Sequence, residues 1–172
     1  NKKEYPIHIK VDTGMNRQGF QPDEIQELCD TINAQPEVRV VSVFSHLAAS
    51  DEENQKEFTA TQVKCFEEIN ESISKKIGSN YIKHILNTHG IINYPEHQYD
   101  MARLGIGLFG EDFSGKVKNK LQNAISFKTT ITQIKNVKKD ESIGYGRATL
   151  LTEDKTIGVL PVGYADGYFR AL

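Results

Sequence analysis

The sequence has 172 residues, 38% of them hydrophobic, with 13 glycines, which is enough apolar material to bury a core and excludes wholesale disorder. The 21 basic and 23 acidic side chains leave a net charge of −2, so there is no cationic excess to hold nucleic acid or an anionic lipid surface by bulk electrostatics. No apolar run approaches the roughly 20 residues of a membrane-spanning helix.

In chain order, residues 5–11 (YPIHIKV) read as a strand, followed by the turn-prone Asp12-Thr13-Gly14. Pro22 suits a first helical position, with Phe20 and Ile25 spaced for a hydrophobic staple. Ile25, Leu28, Cys29 and Ile32 then mark a helix with one buried face. Residues 38–44 (VRVVSVF) form a second strand, as continuously apolar as buried parallel strands are. Ser50 to Glu53 has capping-box spacing ahead of a long helix carrying Phe58, Phe66, Ile69, Ile73 and Ile77. Residues 81–86 (YIKHIL) predict a third strand, residues 90–93 a helical turn stopped by Pro95, and residues 101–104 a fourth strand. This alternation argues for a parallel α/β architecture.

The rhythm then changes. Residues 111–122 are polar and Lys-rich, the composition of a linker. From Ala124 the period becomes two, with Ile125, Phe127, Thr129 and Ile131 on one face, and residues 156–163 (TIGVLPVG) read as another strand. The expected division is therefore an α/β part over 1–110, a linker over 111–122 and the beginning of an all-β domain over 123–172. Some 110 residues of βα units are too few for a closed eight-stranded barrel of about 250, so the first part is either a small open sheet or part of a barrel. The sequence is expected to continue beyond both ends, since a strand-like run starts almost at Asn1 and Leu172 falls within an apolar, Gly-rich stretch. Open strand edges in part of a barrel are expected to favour self-association. Cys29 and Cys65 sit in helical patterns and read as reduced core residues of a cytoplasmic protein.

Polar side chains collect at the C-terminal ends of the predicted strands, the rim where parallel α/β folds bind ligands. They are Lys10, Asp12 and Arg17 after the first, His46 after the second, Asn87 and Thr88 after the third, and Arg103 with Gly105 after the fourth. Gly105 to Gly110 fits G-x-G-x-x-G, but no amphipathic helix follows, so a dinucleotide site is not expected. His84 and His89 lack a nearby Cys or carboxylate, and no metal is expected there. Backbone N–H groups of the Gly105 loop, with Thr88, suit a phosphate cradle. Tyr145 lies between two glycines ahead of Arg147; the glycines admit close approach to the ring, and a neighbouring cation favours a phenolate able to act as a base.

The ordered segments His8 to Phe20 (HIKVDTGMNRQGF), Phe44 to Asp51 (FSHLAASD), Asn87-Thr88, Arg103 to Gly110 (RLGIGLFG), Gly144 to Arg147 (GYGR) and Val162 to Arg170 (VGYADGYFR) resemble alanine racemases along the whole chain. The resemblance implies a (β/α) barrel holding pyridoxal phosphate, the start of a C-terminal β domain, a homodimer, and D-alanine supply for peptidoglycan. It places Arg103 against the cofactor's ring nitrogen and His46 behind Arg103. It gives the phosphate to Thr88, Gly105 and Ile106, with Asn87 supporting that loop. Arg17 is placed near the substrate carboxylate and Lys10, often carbamylated in the family, beside it. Tyr145 becomes the catalytic tyrosine, reaching the partner subunit's cofactor. Tyr164, Arg170, Ala49 and Asp51 fall at the substrate entrance. The family's lysine motif that links the cofactor covalently has no counterpart here, so the chain alone is expected to be inactive. A racemase of serine or a basic amino acid, a non-catalytic pyridoxal-phosphate barrel protein, and a bland phosphate-binding module are the alternatives.

Overall fold

The computed structural model describes residues 4–169 and divides into two compact units, Asn1–Ile125 and Ser126–Leu172. In the first, β1 (Tyr5–Lys10), β2 (Val38–Phe44) and β3 (Ile82–His84) form a parallel sheet in the order β1-β2-β3. Crossovers are made by α1 (Ile25–Asn33) and α2 (Lys56–Ile77), as parallel pairing requires. Pro22 opens a 3₁₀ turn (Pro22–Glu24) that leads into α1, and the Gln21 N–H donates to Glu24 Oε2 at 2.7 Å.

Alternation along each strand sorts the side chains. Ile9 and Val43 join Ile85 beyond β3 in a core closed by Ile25 and Cys29 of α1 and by Val63, Phe66, Ile69 and Ile73 of α2. Their spacing along α2 is the 3-4 rhythm of one buried helix face. Cys29 is fully buried and Cys65 half-buried, and burial raises both thiols above their ordinary pKa.

Several sequence expectations are corrected. The Ser50–Glu53 capping box does not form, because the buried Ser50 hydroxyl donates instead to Asn87 Oδ1 at 2.8 Å, an acceptor far along the chain. Residues 101–104 are not a strand. They run beside β3 with only the Asp100 N–H to Lys83 carbonyl and Arg103 N–H to Leu86 carbonyl bonds, while the Asp100 carboxylate takes the Lys83 N–H. Residues 124–131 keep their period of two without forming a strand, since no described segment pairs with them.

In the second unit, β4 (Gln133–Val137) pairs antiparallel with β7 (Lys155–Val159), and β5 (Ser142–Ile143) with β6 (Thr149–Leu150). β7 ends before the expected residue 163, where Pro161 has no N–H to extend a ladder. Among the described residues both outer edges of the parallel sheet lack a strand partner, and Leu108, Phe109 and Phe113 are exposed. No helix among the described residues is long and apolar enough to cross a membrane.

Candidate active site

The site is built at the C-terminal ends of the parallel strands. After β1 the chain loops out and returns, with Phe20 N–H donating to the Lys10 carbonyl at 2.9 Å and Asp12 N–H to the Phe20 carbonyl at 2.8 Å. Gly19 (φ +123°) makes that return possible, because a Cβ there would lie 2.8 Å from the backbone of Val11 and Asp12. Asp12 Oδ1 holds the turn by accepting from Gly14 N–H (2.8 Å) and Asn16 N–H (3.1 Å). Burial raises the Asp12 carboxyl, but the backbone N–H groups of Gly14, Asn16, Met15 and Arg17 outweigh it and leave it below its ordinary range. Lys10 and Arg17 are thereby held beside the β2 end, close enough for their charges to act on His46.

Arg103 is the centre. Its Nη2 donates to the Ser45 carbonyl at 2.5 Å and to the Ile85 carbonyl at 3.3 Å, and lies 3.2 Å from His46 Nδ1. Its Nη1 donates to His84 Nδ1 and, at 3.4 Å, to the His84 carbonyl. The guanidinium carbon sits 5.3 Å over the Phe44 ring, which stacks on His84 at 4.9 Å. Arginine can only donate, so His84 Nδ1, which faces Nη1, must accept and His84 must be neutral. The titration directions agree. His46 is lowered by burial and then by Arg103, Arg17 and Lys10, and His84 is pushed down to about 4 by burial, Arg103 and His8. Among the described residues no carboxylate pairs with Arg103, and its Nε–H is a donor left without a partner.

Asn87 caps α3 (Thr88–Asn93) by accepting the Gly90 N–H at 2.8 Å. Thr88, at the first position, is buried, and its Oγ1 accepts from Gly105 N–H (2.9 Å) and Gly107 N–H (3.2 Å). A Cβ on Gly107 would lie 2.9 Å from Thr88 Cγ2, so the glycine lets this loop lie against α3. The Thr88 hydroxyl proton and the Ile106 N–H, which opens the 3₁₀ turn Ile106–Phe109, have no acceptor among the described residues. The donors left over are thus a guanidinium N–H, a hydroxyl and a backbone N–H. That set fits a group carrying a phosphate and an unprotonated ring nitrogen, as pyridoxal phosphate does.

In the second unit, Gly144 (φ +79°) and Gly146 (φ +66°) shape the turn Tyr145–Arg147, and Tyr145 is 96% exposed. Arg147 Nε donates to Ser142 Oγ at 3.0 Å. Tyr164 is exposed at the start of the turn Tyr164–Asp166. Ala49 is half-buried and Asp51 exposed, and Arg170 lies outside the described residues.

Two positioning groups escaped the sequence reading. In sequence His84 pairs only with His89, yet in the fold the two diverge: His84 serves Arg103, while His89 Nε2 accepts the Phe113 N–H at 3.2 Å. Gln62 is fully buried on α2, accepts the Ala48 N–H at 2.9 Å and donates to the His46 carbonyl at 3.2 Å, tying the His46 loop to the helix. A glutamine one turn before Phe66 on an apolar stripe was the available signal.

Comparison with known proteins fits this geometry. The model of the alanine racemase N-terminal domain matches residues 1–112, and that of the alanine racemase C-terminal domain matches residues 124–172, a part that a stand-alone barrel protein would lack. An alanine racemase of Clostridium novyi (strain NT) is 38% identical over 171 residues, covering 96% of this chain and 44% of that protein. One of Clostridium tetani (strain Massachusetts / E88) is 40% identical, with the same coverage. The crystal structure of alanine racemase from D-cycloserine producing Streptomyces lavendulae superposes with a TM-score of 0.85 at 26% identity, covering 96% of this chain and 45% of that one. The chain spans less than half the length of these relatives. The parallel unit is accordingly part of a (β/α) barrel and the second unit the start of the β domain, and the chain belongs to the alanine racemase family.

Proposed function

We propose that this chain is the part of a pyridoxal-phosphate-dependent alanine racemase that holds the cofactor and supplies one of two proton-transfer groups. The observation that carries the reading is Arg103, a half-buried guanidinium fixed by neutral imidazoles and carbonyls with no carboxylate beside it among the described residues. When bound, the cofactor supplies an electron-withdrawing ring system that acidifies the substrate α-C–H. Arg103 would hold the ring nitrogen through its Nε–H, and its positive charge would disfavour protonation there. This limits electron withdrawal to what reversible proton exchange needs. The Thr88 hydroxyl and the Ile106 N–H would bind the phosphate, while the Gly105 N–H, expected from the sequence to join them, is spent on Thr88 Oγ1 and shapes the loop instead, with Asn87 securing α3 beneath. His46 backs Arg103. Arg17, oriented by Lys10, binds the substrate carboxylate, and Tyr164 stands at the entrance. The Tyr145 phenol takes up or returns the proton at the substrate α-carbon on one face, in the site of the partner subunit of a homodimer. A lysine outside the motifs of this sequence serves the opposite face, so the 172-residue chain alone should not racemise alanine. The product D-alanine would feed peptidoglycan synthesis in the cytoplasm.

The test is Tyr145→Phe in the full-length enzyme. The equilibrium constant between enantiomers is one, so kcat/KM must fall equally in both directions, by about 10²–10⁴-fold for a lost acid–base group. The discriminating readout is solvent deuterium exchange at the α-carbon. One enantiomer should keep exchanging while the other stops; undiminished exchange with both would refute the role.

A further inference from the structure

Behind Arg103 the sheet carries a second polar line that the proposed chemistry does not use directly. Ser42 is fully buried in β2, where an unpaired hydroxyl would be costly. It is flanked by imidazoles from both neighbouring strands, His8 Nδ1 at 2.6 Å and His84 Nε2 at 3.3 Å. The pairing is constructed rather than incidental. The β1–β2 register runs Ile7 with Val40 and then His8 with Ser42, a bulge that skips Val41 and brings His8 opposite the hydroxyl.

Proton bookkeeping along this line has one solution in which every group is satisfied. Arg103 Nη1 donates, so His84 Nδ1 accepts and the His84 proton resides on Nε2. That Nε2–H donates to Ser42 Oγ, and the Ser42 hydroxyl proton is then free to donate to His8 Nδ1. With the His8 acceptor removed, the Ser42 proton turns toward His84 Nε2. His84 then shifts to its other tautomer and presents an N–H to a guanidinium that can only donate.

We propose that His8 and Ser42 are positioning residues whose hydrogen-bonded line through His84 locks the His84 imidazole in the tautomer that accepts from Arg103. The lock follows from geometry alone; its consequence for turnover rests on the reading of Arg103 as the partner of the cofactor ring nitrogen.

The experiment is side-chain nitrogen NMR of the full-length, cofactor-loaded protein labelled with ¹⁵N-histidine, for the native sequence and for Ser42→Ala, His8→Leu and His8→Asn. Native His84 should be protonated only on Nε2. His8→Leu should populate Nδ1–H; Ser42→Ala, which removes the proton that would turn and leaves Arg103 facing Nδ1, should keep Nε2–H without an acceptor; and His8→Asn, whose amide oxygen can replace the lost acceptor, should restore the native pattern. Turnover should fall roughly 3- to 10-fold in Ser42→Ala and His8→Leu, the range expected for one lost hydrogen bond, with KM within about twofold, and recover in His8→Asn. An unchanged His84 tautomer in His8→Leu, or an Nδ1–H in the native protein, overturns the lock. If the protein does not take up pyridoxal phosphate, the functional reading fails while the nitrogen spectra still decide the lock.

Discussion

Asn87→Ala tests the joint that fixes the phosphate side of the site. Asn87 Oδ1 accepts two bonds of 2.8 Å, from the Gly90 N–H and from the Ser50 hydroxyl. Loss of an N-cap costs about 1 kcal/mol. Ser50 is only 2% exposed, and leaving its hydroxyl without an acceptor adds about 1–3 kcal/mol. The 3.4 Å contact from Asn87 Nδ2 to the Leu47 carbonyl is too long to add much. The expected loss is therefore about 2–4 kcal/mol, read as a lower urea midpoint at unchanged m-value. Asn87→Asp keeps the accepting oxygen and places a negative charge at a helix N-terminus, so it should stay within about 1 kcal/mol of the native protein. Faster hydrogen exchange at the Gly90 amide should accompany the alanine variant, since α3 has only six residues and no other side-chain cap. An Asn87→Ala protein within about 0.5 kcal/mol of native, or an aspartate variant as damaged as the alanine one, would show that the cap does not hold α3.

Three further outcomes follow from the same geometry. His84 and His46 are neutral in the folded state, with folded pKa values below the ordinary 6.5, that of His84 at about 4. The unfolded chain therefore binds protons that the folded one does not, and the stability these histidines contribute, present above pH 6.5, should be lost as pH falls from 6.5 toward about 4. Urea titrations across that window check the slope, which should flatten in His84→Gln. Gly19→Ala combines a positive φ with a 2.8 Å backbone clash and should cost more than about 2 kcal/mol, measurable by thermal unfolding. Gln62→Leu keeps the volume but strands the Ala48 N–H and the His46 carbonyl, for about 1–3 kcal/mol in chemical unfolding and faster amide exchange at Ala48.

Local pattern alone determined β1, β2, α1 and α2, because one face of each element is apolar at its own period and nothing distant competes for it. It also set Lys10, Arg17, His46, Asn87 and Thr88 after strand ends, which in a parallel sheet share one rim, whereas Arg103 comes from residues 101–104, which are not the expected strand. Tertiary structure decided the rest. Ser50 carries a capping signature, yet its hydroxyl goes to Asn87, 37 residues away. Residues 124–131 alternate like a strand, but a strand exists only where another segment offers its N–H and C=O groups. His84 looked like an isolated histidine until β3 stacked it on Phe44 and set it against Arg103, 19 residues on. Periodicity is a property of neighbours along the chain, whereas a hydrogen-bond partner across the sheet is chosen by folding, and the charge state of a buried imidazole depends on that choice.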